Sequence, residues 1–527
     1  MSETLTQGLL GDLHAILGQN GLLTDCDSLS LHGSDLLDEG APCIAVVRPT
    51  SVEDLTQAVA LLGAEGIAMA PRGGGLTYVG GYTIANKSFV AIDLAKLNRI
   101  ISISEEDMIV TVEAGTTWRQ IHEALKPLGL RLPFFGTFSG ARATVGGGLS
   151  NGALFLGTAR HVSAAEAVIG MEVVLADGTL LHTGQQSVRR APKPFMRTFG
   201  PDLTGLFVHD AGALGIKARV SLRLIRAPKA SGYLSFGFAD QASGIAALCE
   251  VSRSDLAEDA YLMDPDKTRI ALAGPTDLVR DAKVLAKVIG QEGDLLKGLR
   301  AGARLAVAGR SFIADGCHSL HLVLAGRSDA AVAADMATAR EIAARFGGAE
   351  LPDSIPRAGR ADLFNPVSTM VVGPEADRWI ALNAKVPHSE ALRLTEAIEA
   401  LLARHKPALD AAGVIVSRLL TVMGTHAFSY EPVINWRDSW LPLHRDILNG
   451  QKKLTEPPSA PAARALVMQV RAELITLFAE HGAASNQIGR TYPYASVMRP
   501  APLALLQAVK RALDPKGVMN PGALELS

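Results

Sequence analysis

Residues 71–81 read Pro71-Arg-Gly-Gly-Gly-Leu-Thr-Tyr-Val-Gly-Gly81 and directly follow a short apolar run at 67–70. The run reads as a buried strand and the glycines as the loop that leaves it. Consecutive glycines let backbone N–H groups point at an anion with no Cβ in the way. Arg72 adds charge and Thr77 a hydroxyl. The loop is not a Walker A motif, because no Lys-Ser/Thr follows. It is not a dinucleotide fingerprint either: the spacing differs, and Asp93 fills the expected acidic position only if the loop is misread. A second stretch, Thr144-Val-Gly-Gly-Gly-Leu-Ser-Asn-Gly152, repeats the logic with Thr144, Ser150 and Asn151 as polar groups. Two anion nests, each beside a strand, suit one long ligand with two phosphates.

Outward from these loops, strand and helix signals alternate over 42–115. Ser51 and Asp54 form a capping-box variant before Val52, Leu55, Val59 and Leu62, which share one helical face. A helix is expected over 118–126, ended by Pro127 and Gly129. Residues 170–184 read as a hairpin with Asp177-Gly178 as a two-residue turn. A strand pair is expected over 205–225. Beyond Pro228, longer helical segments and strand runs at 320–324 and 414–422 suggest a separate α+β unit, followed by a helix at 463–481.

Composition limits the function classes. The 527 residues hold 51 Lys plus Arg and 53 Asp plus Glu, a net charge of −2. No basic excess exists to release counterions, so nucleic acid is not an expected partner. The four cysteines form no CxxC pair and read as thiols of a reducing compartment. The N-terminus lacks a basic leader, and no apolar run reaches the length of a membrane span. A cytoplasmic protein with no membrane span is expected.

The two glycine strings, the hairpin GMEVVLADGTLLHTG, the segment 200–216 and the tail LDPKGVMNPG occur in an order that resembles the vanillyl-alcohol oxidase and p-cresol methylhydroxylase superfamily of FAD enzymes. Asn365-Pro-Val-Ser368 and the strand before Gly424 extend the resemblance more weakly. The resemblance implies an α+β fold: a PCMH-type FAD-binding domain in two parts with an inserted α+β cap. The boundaries expected are 1–228 for the first FAD part, 229–482 for the cap and 483–527 for the returning segment. FAD would be held by Arg72, Gly73, Gly74, Gly75, Leu76 and Thr77, by Thr144, Gly147, Gly148 and Asn151, and by Gly215 and Ile216. The usual attachment positions carry no His or Cys, so the resemblance implies dissociable FAD.

For chemistry the expected residues are four. His426 is a candidate base for a hydroxyl proton, and at strand spacing it shares a face with Phe428 and Tyr430, leaving Ser429 and Glu431 on the other. Arg490 is the candidate for holding a substrate oxyanion, with Tyr492 as an added hydroxyl. Glu480-His481-Gly482 resembles a motif of the metal-assisted D-2-hydroxyacid branch, but position 433, seven beyond His426, is Val, and no metal is expected. The implied activity is hydride transfer from an aromatic alcohol or para-substituted phenol to flavin N5. A D-2-hydroxyacid dehydrogenase of the lactate or glycolate type is the alternative. An ether-lipid synthase-like transferase and an electron-carrier flavoprotein subunit are rivals of another class. The expected partners are a small-molecule substrate, an electron acceptor (oxygen, cytochrome or quinone) and a second copy of the chain.

Overall fold

Ser51 Oγ accepts from Asp54 N, and Asp54 Oδ2 accepts from Ser51 N, both at 3.0 Å. This closed box starts the helix Val52–Ala64. Its buried face shares an apolar cluster with Ala45, Val47, Val90 and Ile92. Those residues belong to a four-stranded sheet ordered Leu22–Leu23, Cys43–Val47, Phe89–Asp93, Met69–Arg72, whose last three strands are parallel. The computed structural model describes residues 5–191, 193–272, 316–451 and 454–526.

A second sheet is antiparallel and five-stranded, ordered Ile100–Ser104, Ile109–Glu113, Ile216–Arg223, Val168–Val174, Leu180–His182. Two expectations change here. The hairpin turn is longer than two residues, because Gly178 has φ +83° while Asp177 keeps a negative φ, and Gly178 N donates to Leu175 O. That is the longer loop in which a single glycine takes the left-handed position. The 205–225 region supplies one strand, Ile216–Arg223; the residues before it form a short 3-10 turn, Thr204–Phe207, and a loop.

The third sheet has eight strands. Its main path runs Ala349–Leu351, Ala230–Phe238, His318–Gly326, Asp259–Met263, Ile415–Met423, Ala427–Trp436, Arg378–Ala381, and Ala384–Pro387 also pairs with Ala427–Trp436. Helices Gln241–Arg253, Asp329–Arg345, Ala391–Ala411 and Pro461–Glu480 cover one face, through Leu248, Ile342, Ile398 and Leu474. The other face turns toward the glycine loops. An ion cluster fastens it there: Arg131 and Arg360 both donate to Glu258, and Asp259 Oδ1 accepts from Gly157 N at 2.6 Å.

The chain then returns to its first sheet. Met69 N donates to Val518 O at 2.8 Å, and Asn520 N donates to Met69 O at 2.7 Å. Asn520 Nδ2 donates to Gly81 O, so the tail closes on the first glycine loop.

Candidate active site

The two glycine stretches meet because neither has side chains to keep them apart. A Cβ on Gly73 would lie 2.3 Å from Thr144 Oγ1, and one on Gly74 would lie 2.3 Å from Arg142 O. The second stretch is a short helix, Val145–Ser150, and not a loop: Thr144 Oγ1 accepts from Gly147 N and caps it. Gly148 is required by packing, since its Cβ would meet the Trp118 ring at 2.7 Å. Gly147 is freer, with only Thr144 Oγ1 at 3.1 Å, and it borders the open cleft.

The cleft is open to solvent and, with that open part, spans about 1380 Å³. Arg72 lies in its wall and is 4% exposed. Gly75 takes φ +76°, and the space its missing side chain leaves is filled by the Arg72 guanidinium. Arg72 Nε and Nη2 have no partner among the described residues. Trp118 Nε1, Asn151 Oδ1 and Gln487 Oε1, also on this wall, are likewise unpaired and buried. Buried polar atoms are normally satisfied, so this set points to a polar ligand in the cleft. A planar cation with two free donors fits a pyrophosphate. Leu76, Thr77 and Gly215 border the same space. Ile216 does not: its side chain is fully buried in the cluster behind the sheet.

At its far end the cleft reaches the cap sheet. Phe428, Tyr430, Ile434 and Trp436 point to the covering helices. Alternation turns Ser429, Glu431 and Val433 the other way, and Glu431 borders the cleft. Burial raises the Glu431 carboxyl to about 7, with Lys267 and Lys385 acting against it. Lys385, on the neighbouring strand, is lowered to about 7 by burial, with Glu431 acting against it. Its Nζ donates to Asn383 Oδ1 at 2.8 Å and to Asn486 Oδ1. Tyr78 and Trp379 make an aromatic wall beside them, with ring centroids 5.4 Å apart.

The four residues expected to carry the chemistry do not gather here. His426 lies in the exposed turn between Ile415–Met423 and Ala427–Trp436. Tyr430 faces the helices, where its hydroxyl donates to Glu399 Oε1 at 2.5 Å. Arg490 spends its fork on protein: Nη1 donates to Gly80 O at 2.6 Å, and Nη2 to Asn520 Oδ1 and Pro521 O at 2.7 Å. It braces the first glycine loop and has no place on the cleft wall. Tyr492 is buried with its hydroxyl accepting from Asn383 N at 2.8 Å, which places it behind Asn383 and Lys385. Asp93 accepts from Arg48 at 3.0 Å and pairs with His32, away from the cleft wall. Glu480 and His481 end the helix Pro461–Glu480. Among the described residues, no three His, Cys, Asp or Glu side chains converge as metal ligands. The residues missed were Glu431, Lys385 and Asn486. Part of the signal for Glu431 was present: large apolar side chains occupy one parity of its strand, which sets Glu431 on the opposite face.

Residues 43–184 match the FAD binding domain family, and residues 450–524 match the C-terminal domain of FAD linked oxidases. The chain thus carries an FAD binding domain and an FAD-linked oxidase C-terminal domain. The chain is 31% identical over 222 residues to a probable mitochondrial D-lactate dehydrogenase of Danio rerio, covering 42% of this chain and 43% of that protein. It is 28% identical over 221 residues to a D-2-hydroxyglutarate dehydrogenase of Stutzerimonas stutzeri, covering 42% and 46%. The match thus spans less than half the length of either relative. Its fold resembles p-cresol methylhydroxylase with substrate bound, at a TM-score of 0.73 and 19% identity over 99% of this chain and 98% of that one. The 4-ethylphenol oxidase from Gulosibacter chungangensis in its isoeugenol complex gives 0.72 and 17% over 100% and 98%. At these identities the likeness is one of fold, and it bears out the two-part FAD-binding architecture with an inserted cap.

Proposed function

We propose that the protein is an FAD-dependent oxidoreductase that oxidises a D-2-hydroxy acid to the 2-oxo acid. The observation that carries the reading is Glu431 on the cleft wall, with Lys385 on the neighbouring strand of the cap sheet acting on it electrostatically. A carboxylate poised near neutrality is suited to take the substrate's hydroxyl proton. An ammonium beside it is suited to hold the substrate's own carboxylate. FAD, when bound, would supply the two-electron acceptor for the hydride leaving C2. Arg72 and the backbone of 73–77 and 144–151 would hold its pyrophosphate. Asn383 and Asn486 fix the Lys385 ammonium, and Tyr492 fixes Asn383. The names of the curated relatives, D-lactate and D-2-hydroxyglutarate dehydrogenases, support both the substrate class and its hand.

The Tyr78–Trp379 wall favours a second reading, an aromatic alcohol or para-substituted phenol. Anaerobic mixing separates the two. D-lactate or D-2-hydroxyglutarate should bleach the flavin, while their L forms and 4-alkylphenols should not. Bleaching by the phenols alone overturns the first reading in favour of the second. The cleft wall also contains no His or Cys among the described residues, which supports dissociable FAD. Acid precipitation should then leave the yellow colour in the supernatant; colour in the pellet refutes it.

A further inference from the structure

Ten large apolar side chains are exposed among the described residues, and five of them, Val188, Phe195, Met196, Phe199 and Leu203, fall within 188–203. Phe199 is 66% exposed and Phe195 54%. A soluble surface scatters such residues singly, so a concentration of them marks a contact with something outside the chain. The same stretch carries Arg189, Arg190, Lys193 and Arg197 against one acid, Asp202, in a chain whose net charge is −2.

The exposure is not that of a loose end. Gln185 N donates to Met196 O at 2.9 Å. Lys193 Nζ reaches Asp107 Oδ2 at 2.6 Å, and Arg197 Nη1 reaches Ala165 O at 2.6 Å. The segment is therefore tied down by one backbone and two side-chain contacts, while Phe195 and Phe199 stay exposed. Two of the cations, Arg189 and Arg190, are exposed and have no hydrogen bond or ion pair among the described residues.

We propose that segment 188–203 is a docking surface for an anionic lipid membrane. Phe195, Met196 and Phe199 would enter the headgroup layer, and Arg189 and Arg190 would meet the lipid charge. Apolar side chains interleaved with cations on a pinned loop match both layers of that interface, the acyl boundary and the anionic headgroups. Nothing in this geometry needs a membrane-crossing segment, and no described helix is long and apolar enough to be one. An isoprenoid quinone, one of the acceptor classes open to a reduced flavin, dissolves in that phase.

Co-sedimentation of the flavin-loaded protein with lipid vesicles tests the proposal. The wild type should pellet with mixed phosphatidylcholine–phosphatidylglycerol vesicles at low salt, and stay in solution with phosphatidylcholine alone. The double variants Arg189→Glu/Arg190→Glu and Phe195→Ser/Phe199→Ser should each lower the bound fraction by about tenfold or more. Both should keep normal flavin content and normal turnover with a soluble dye, because the segment lies outside the cleft wall. Wild type that ignores the anionic vesicles, or variants that bind them as well as wild type, overturns the proposal. A wild-type dimer that Phe195→Ser/Phe199→Ser splits into monomers overturns it too, since the occupant is then a second copy of the chain.

Discussion

Arg72 keeps two buried donors unpaired beneath the first glycine loop, while Arg490, on the far side of that loop, gives both terminal nitrogens to Gly80, Asn520 and Pro521. Both are arginines beside glycines in the sequence, and nothing in either motif separates a residue waiting for an anion from one bracing a turn. The distinction depends on the returning tail, which supplies Arg490 with carbonyls and leaves Arg72 with none. Arg72→Lys should keep charge but lose the fork, and Arg72→Ala should lose both. The cost in FAD affinity should be about 1.5–3 kcal/mol for the lost charged hydrogen bonds, read as the fall in flavin absorbance per protein. Glu431 is the second residue whose role can be checked singly. Its carboxyl is raised to about 7, so kcat/KM should fall as pH drops through that value and the base becomes protonated. Lys385 also titrates near 7, so the apparent value belongs to the pair. Glu431→Gln should abolish that acid limb and lower kcat about 10²–10⁴-fold with flavin content unchanged. An unaltered pH profile would remove Glu431 from the proposed mechanism.

The strand Ala427–Trp436 shows how far periodicity carries and where it stops. Alternation correctly separates its two faces, but parity alone does not say which face fronts the cleft. Four covering helices, brought together from distant parts of the chain, decide that. The capping box at Ser51 and the helix at Trp118–Leu125 were legible because their determinants lie within four residues of one another. The hairpin turn and the second glycine stretch were partly misread: backbone angles at Asp177, and the Thr144 cap, depend on finer local geometry than the residue types convey. Sheet docking was not legible at all, since Arg131, Glu258 and Arg360 come from three separate elements. Glu258 is 1% exposed and its carboxyl is held low: burial works against ionisation, and Arg360, His161 and Arg131 outweigh it. Glu258→Ala would take from Arg131 its ion-pair partner and leave Arg360 paired with Asp259. It should cost about 3–5 kcal/mol in denaturant unfolding, the range for breaking a buried pair. A loss below about 1 kcal/mol, the scale of an exposed pair, would show that the cap is held elsewhere.

Across the whole molecule, burial holds several imidazoles neutral. His321 is lowered to about 3, and His122 and His209 to about 4. Each binds a proton near 6.5 when unfolded and far lower when folded, so their contribution to stability is complete above 6.5 and is lost as pH falls below it. Asp35, raised to about 6, and Glu431 act in the opposite direction over part of that window. The clean measurement is differential. His321→Gln should flatten the decline in stability between pH 6 and pH 4 by about 1.4 kcal/mol per pH unit, one proton's worth. Equal slopes for variant and wild type would mean that His321 titrates freely. The tail has a consequence for the order of events in the cell. Residues 489–521 complete the cradle by bracing Gly80, Gly81 and Met69, although those positions are more than four hundred residues upstream. During translation the first glycine loop leaves the ribosome long before its brace is made. The nascent chain therefore carries an open cradle through most of its synthesis, and flavin capture becomes one of the last steps of its maturation.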